Sequence, residues 1–152
     1  MGGSDVVEAI AYLEKAAGEF SQSDTMVNLG SLYEHGWTGV SANNKKAAEW
    51  YLLAAEADNP KGMNKYGYMR YKGRGVELNY RDAVKWFEMG AALGDGNAHN
   101  NLGICYELGR GVGVDIGLAR ASYNRAAELG HPSGKNNLAF MLIKEVNIIY
   151  SQ

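Results

Sequence analysis

Cysteine occurs once in the 152 residues of this chain, at Cys105, so no disulfide can form within it and packing alone must hold the fold. That usage fits a reducing compartment or a redox-indifferent protein. Proline occurs twice, at Pro60 and Pro132, which leaves no room for Pro-rich linkers. Neither sign of charge is in large excess, since 15 basic and 17 acidic residues leave a formal net charge of −2. Nucleic-acid affinity draws on clustered positive charge, so no nucleic-acid partner is expected. No apolar run approaches the roughly 18 residues that a membrane span needs, and the first residues lack the basic and apolar regions of a signal peptide. A cytoplasmic location is favoured, and an exported parent protein would read the same way. Residues 1–4, MGGS, look like a linker or expression remnant. Myristoylation is excluded there because Val6 stands where Ser or Thr is required. His35, His99 and His131 join no cysteine or carboxylate at ligand spacing, so no metal and no cofactor is expected.

What the chain has is glycine, 20 residues of it, in register. NLGSLYEHGWTGV from Asn28, NKYGYMRYKGRGV from Asn64 and NNLGICYELGRGV from Asn100 repeat one another. Gly30, Gly67 and Gly103 lie 37 and 36 residues apart, and Ala139 takes the same slot a further 36 on. A period of this length carrying two helical patterns denotes a solenoid, in which each unit buries its apolar face only against its neighbours. Glycine within a helix costs about 1 kcal/mol relative to alanine, so its recurrence in one column implies close approach of a neighbouring helix. Gly36, Gly73 and Gly109 are placed to stop the first helix of each unit. Asn43, Asn79 and Asp115 are placed to cap the second. Pro60 and Pro132 fit a first helical turn, where a missing N–H costs nothing.

The pattern predicts an all-α solenoid of eight helices over residues 5–19, 24–35, 43–57, 60–72, 79–93, 96–108, 115–129 and 132–148. They form one domain, 5–152, with three full repeats at 24–59, 60–95 and 96–131 and partial units at 5–23 and 132–152. Segment 5–19 reads as a second helix without its first, and the last helix as a first without its second.

With the alanine, aromatic, NLG, Tyr and GRGV columns in place, the chain resembles the Sel-1-like repeat family, a branch of the tetratricopeptide-like solenoids. NLGICYELGRGV followed by Asp115, Ala119, Tyr123 and Ala126–Ala127 carries the resemblance most fully. It implies a right-handed superhelix whose first helices line a concave groove, used as an adaptor or scaffold that binds another protein or peptide. Two departures stand out: Arg70 occupies the usual tyrosine column with Tyr71 beside it, and the first turn reads GWTGV instead of GRGV.

The resemblance places groove-facing residues at set offsets from the helix glycine. One column holds Val27, Asn64, Asn100 and Asn136. An Asn side chain both donates and accepts, so the three asparagines are candidates to hold an extended peptide backbone; structural bracing is the competing reading, as it is for the adjacent Asn28, Asn101 and Asn137. The other columns supply Lys61, then Tyr68, Ile104 and Phe140, then Tyr71 and Glu107, then Lys72 and Leu108, with an ordinary core role as the alternative for the large apolar ones. Lys61, Lys65, Arg70, Lys72 and Arg74 fall together without an acid among them, which would suit an acidic segment of a partner or a plain solvated face. Trp37 in the enlarged turn reads as an edge-packed ring, with an exposed contact as the alternative. Cys105 shares a column with Leu32, Met69 and Met141 and reads as core. No nucleophile and base stand at a diagnostic spacing, so a hydrolase ranks below a binding module, and end-to-end self-association is the second reading.

Overall fold

The computed structural model describes residues 3–20 and 22–150, with side chains over 5–18 and 22–147. Eight helices follow in order: α1 (Gly3–Phe20), α2 (Ser23–His35), α3 (Asn44–Glu56), α4 (Pro60–Lys72), α5 (Tyr80–Ala92), α6 (Gly96–Leu108), α7 (Ile116–Glu128) and α8 (Pro132–Tyr150). No boundary differs from the sequence expectation by more than two residues. Gly3 and Ser4 extend α1, so helix runs through part of the segment expected as a linker; Met1 and Gly2 lie outside the described residues. The side chains of the apolar run Ile148–Tyr150 also lie outside them.

The capping residues set the helix lengths. Asn43, Asn79 and Asp115 each accept a hydrogen bond from the amide three residues on, at 3.0, 3.0 and 2.8 Å, and so begin α3, α5 and α7. Gly73 and Gly109 turn left-handed, with φ of 65° and 66°, and end α4 and α6. Gly36 departs from them with ψ of 168°, because the inserted residue of the first turn leads the chain into a tight backbone bridge between Trp37 and Val40.

Within each repeat the two helices meet at the glycine column. A Cβ added to Gly30, Gly67 or Gly103 would lie 2.5, 2.8 or 2.5 Å from a ring carbon of Tyr51, Phe87 or Tyr123, well inside contact distance. All three rings are fully buried. Between repeats the contact is a pair of small residues: Ala54 with Gly62, Gly90 with Ala98, Ala126 with Gly134. Glycine and alanine exchange places from one junction to the next, so each contact holds a single methyl group. The second glycine of each GRGV turn is also a junction residue, since a Cβ on Gly75 or Gly111 would strike the backbone of Asn44 or Tyr80 in the preceding repeat. Met69, Cys105 and Met141 face back onto the preceding repeat and are buried there.

Gly103→Ala is therefore expected to destabilise the chain by about 1–3 kcal/mol, since its methyl must displace the buried Tyr123 ring; urea unfolding followed by circular dichroism measures it.

Candidate functional site

The first helices α2, α4, α6 and α8 lie side by side and form a groove of about 410 Å³. Lys61, Asn64 and Tyr68 come to it from α4, Asn97 and Asn100 from α6, and Asp95 and His131 from the turns that precede α6 and α8. Of the residues singled out by sequence, the groove thus gathers Lys61, Asn64, Tyr68 and Asn100, together with Val27, Lys65 and Asn101. Asn136, Tyr71, Lys72, Ile104, Glu107, Leu108 and Phe140 do not line it.

Its floor is an asparagine ladder running between repeats. Asn101 Nδ2 donates to Asn64 Oδ1 at 2.8 Å, and Asn137 Nδ2 donates to Asn100 Oδ1 at 2.9 Å. Asn64 and Asn100 are only 8% and 6% exposed. The two asparagine columns, read separately in the sequence, are the two halves of one brace. Each Oδ1 accepts one hydrogen bond from the following repeat, so Asn64 and Asn100 brace the stack, as the competing structural reading expects. Among the described residues no fully buried side-chain nitrogen or oxygen lacks a partner, and none accepts from Nδ2 of Asn64 or Asn100. Those two amide groups are accordingly not fully buried. Asn136 is exposed and makes no such bond among the described residues.

A second column caps the first helices and had a signal that sequence reading passed over: Asn59, Asp95 and His131 stand 36 residues apart. Asn59 Oδ1 accepts from the Gly62 amide at 3.0 Å, while its Nδ2 donates to Ser23 Oγ and Asp24 Oδ1 at 3.1 and 2.9 Å. Asp95 Oδ1 accepts from the Ala98 amide at 2.7 Å. His131 Nδ1 accepts from the Gly134 amide at 3.2 Å, which leaves the ring proton on Nε2, 2.7 Å from Asn97 Oδ1. The histidine that looked isolated in the sequence is a helix cap and a groove wall.

The other candidates are largely structural. Tyr71 is buried, its ring 6.4 Å from that of Phe87 and 5.2 Å from that of Tyr80, with the Arg110 guanidinium above it and bonded to its hydroxyl. This corrects its placement in the groove: the arginine of the GRGV turn covers the ring that a partner would have had to reach. Tyr68 stacks beside Tyr71 at 6.5 Å and stays half-exposed to the groove. Lys72 lies over both rings. Ile104 is half-buried between two core clusters, whereas Leu108 and Phe140 are exposed outside the groove. Glu107 accepts from Tyr123 Oη at 2.8 Å and from Lys144 at 3.1 Å, so it too is internally engaged. Glu34 does the same with Tyr51 at 2.7 Å and Lys65 at 3.4 Å. Burial alone would raise both carboxyls, but the tyrosine and lysine hydrogen bonds outweigh it and hold each below the ordinary carboxylate value. In the middle repeat, where Phe87 has no hydroxyl to donate, Tyr71 replaces the glutamate. Arg70 pairs with Asp82 at 2.7 Å, so the basic run is partly neutralised within the fold, while Lys61 has no ion pair among the described residues.

Trp37 is 70% exposed, against the edge-packed reading, because the bridge to Val40 turns its indole outward. Cys105 is fully buried, and burial pushes its thiol up to about 12. Among the described residues no group of three or more His, Cys, Asp or Glu is arranged to hold a metal, and no helix is long and apolar enough to cross a membrane.

Stacked helix pairs, with no strand among the described residues, define a helical solenoid, the class that builds extended surfaces from repeats. The chain belongs to the Sel1 repeat family, whose profile matches residues 2–18, 23–59, 60–95 and 96–131. It is similar to c5321, a protective antigen present in uropathogenic Escherichia coli strains displaying an SLR fold, with a TM-score of 0.79 and 32% identity over 88% of this chain and 28% of that one. It is likewise similar to a Sel1 repeat protein from Oxalobacter formigenes, with a TM-score of 0.76 and 34% identity over 86% of this chain and 53% of the other. The chain thus spans well under two thirds of either protein. Helicobacter pylori cysteine rich protein B shares the fold alone, at 21% identity and a TM-score of 0.68 over 90% of this chain and 96% of that one. No curated protein matches the chain. Sel1 repeat proteins are generally protein-interaction scaffolds and typically non-enzymatic.

Two outcomes follow for the buried groups. A carboxyl held below its unfolded value contributes stability that is present above the ordinary value of 4.5 and is lost as pH falls through the folded value. Glu107→Gln should thus reduce stability at neutral pH and flatten the loss that the parent chain shows on acidification below about pH 4.5, read from melting temperature against pH. Cys105 should react with a thiol reagent far more slowly in the native chain than in urea; equal rates would show that the column is not core.

Proposed function

We propose that this chain binds an extended segment of a partner protein along the first-helix groove, with Asn64 and Asn100 donating to the segment's backbone carbonyls. The observation that carries this reading is the ladder: each Oδ1 is held by the next repeat, so the two Nδ2 groups are pre-oriented toward the same cavity. Preorganisation of that kind lowers the ordering cost of binding, and backbone recognition leaves the segment's sequence to other contacts. Tyr68 supplies a half-exposed ring beside the ladder, and Lys61 on the rim supplies the cation for an acidic side chain of the segment.

Because Asn64 and Asn100 also brace the repeats, their alanine variants would change folding together with binding, so the test uses the rim. Peptides selected from a displayed random library should bind with affinities that Tyr68→Ala and Lys61→Glu each reduce by about tenfold at unchanged helicity, measured by calorimetry. Selected peptides indifferent to both substitutions would place recognition elsewhere on the chain.

A further inference from the structure

The three internal repeats define what each slot of a first helix and a second helix must contain, and the outer helices can be read against those slots. Aligning Ala16–Ala17 of α1 with Ala54–Ala55 of α3, an offset of 38 residues, puts Leu13 in the slot of the Tyr51 ring. Leu13 is 46% exposed, whereas Tyr51 is fully buried. An apolar groove of about 760 Å³ runs between α1 and α2, and Val6, Leu13 and Leu32 line it. Leu32 shares its column with Met69, Cys105 and Met141, which are buried against the preceding repeat, yet Leu32 itself is only half-buried. The groove therefore has the form of a seat for a first helix standing before α2.

At the other side of the stack α8 is a first helix whose second-helix face is open. Ala139 stands in the slot of Gly30, Gly67 and Gly103 and is exposed, and Ile143, in the slot of Glu34, Tyr71 and Glu107, is 55% exposed. These two open faces match each other slot by slot. Inside the repeats a large ring meets a glycine; across the ends the shorter Leu13 would meet Ala139, whose Cβ occupies the room the smaller side chain leaves. A hydroxylated ring meets a glutamate, as in Tyr51 with Glu34 and Tyr123 with Glu107, and Phe87 meets Tyr71; across the ends Leu13 would meet the apolar Ile143. The asparagine ladder has two loose ends as well. Asn136 is the position that accepts in Asn64 and Asn100, Asn28 is the position that donates in Asn101 and Asn137, and both are exposed without a hydrogen bond to any described residue.

We propose that α8 of one copy of this chain docks in the α1–α2 groove of a second copy, so that α8 and the second copy's α1 complete one hybrid repeat. Leu13 packs on Ala139 and Ile143, and Asn28 donates to Asn136, extending the ladder across the junction. The contact joins two different surfaces and each copy keeps one of each free, so association continues head to tail instead of closing at a dimer.

Sedimentation of the 152-residue chain from micromolar to millimolar concentration tests this. The average mass is expected to climb past that of a dimer. Leu13→Glu and Ile143→Glu should each hold the chain near monomer mass with helicity unchanged, since both side chains are exposed. Mixed in equal amounts, the two variants should form a 1:1 dimer and nothing larger, because one intact junction remains between them. Leu13→Tyr should weaken association by about tenfold through a clash with the Ala139 methyl, and Ala139→Gly in the same chain should restore it. A parent chain that stays monomeric throughout would overturn the proposal and assign the seat to a different helix. So would variants that associate like the parent, or a mixture that stays monomeric. The groove reading is unaffected by either result, since α2, α4, α6 and the start of α8 form that groove within one chain.

Discussion

The approach of a first helix to an aromatic ring of its second helix, permitted only where the first helix carries no Cβ, sets the geometry on which the remaining contacts depend. With Gly30, Gly67 and Gly103 seated on Tyr51, Phe87 and Tyr123, each helix pair has a fixed separation, and the face presented to the next repeat falls at the same place each time. Fully burying a side chain of this size contributes about 1.5–3 kcal/mol, which more than offsets the helix penalty of the glycine opposite. The ring position also decides the polar chemistry around it. The hydroxyls of Tyr51 and Tyr123 end within hydrogen-bond distance of Glu34 and Glu107, and those carboxylates in turn hold Lys65 and Lys144 of the following repeat.

The junctions use a different device. Single methyl groups between Ala54 and Gly62, Gly90 and Ala98, and Ala126 and Gly134 let backbones come close, and the second glycine of each GRGV turn rests on the preceding second helix. The asparagine pairs add further polar order across the junctions, since their amides cannot rotate freely without losing a part-buried hydrogen bond. The groove inherits its donors from this arrangement. The same first-helix residues that brace the stack also line the groove, because in a solenoid one helix face serves both.

Much of this was legible in the sequence because the period samples every slot several times. Helix limits followed from Asn43, Asn79 and Asp115 at one end and the glycines at the other, and Cys105 was assigned to the core by the company of Met69 and Met141. The cap column of Asn59, Asp95 and His131 had the same 36-residue signal and was missed because its three members differ chemically while serving one acceptor role. Trp37 was misjudged since no other repeat shares its inserted turn, and a slot seen once has no pattern to read.

The repeat itself, with its helix pairs, caps, stops and the residue types allowed in each slot, was determined by the sequence alone, because these depend on contacts that recur at a fixed separation along the chain. Tertiary structure alone decided that the two asparagine columns pair across repeats, that Arg110 covers Tyr71, and that Glu107 is engaged while Lys61 has no ion pair among the described residues. These outcomes depend on side chains from adjacent repeats meeting at particular angles, and burial of a polar group is a property of the whole neighbourhood.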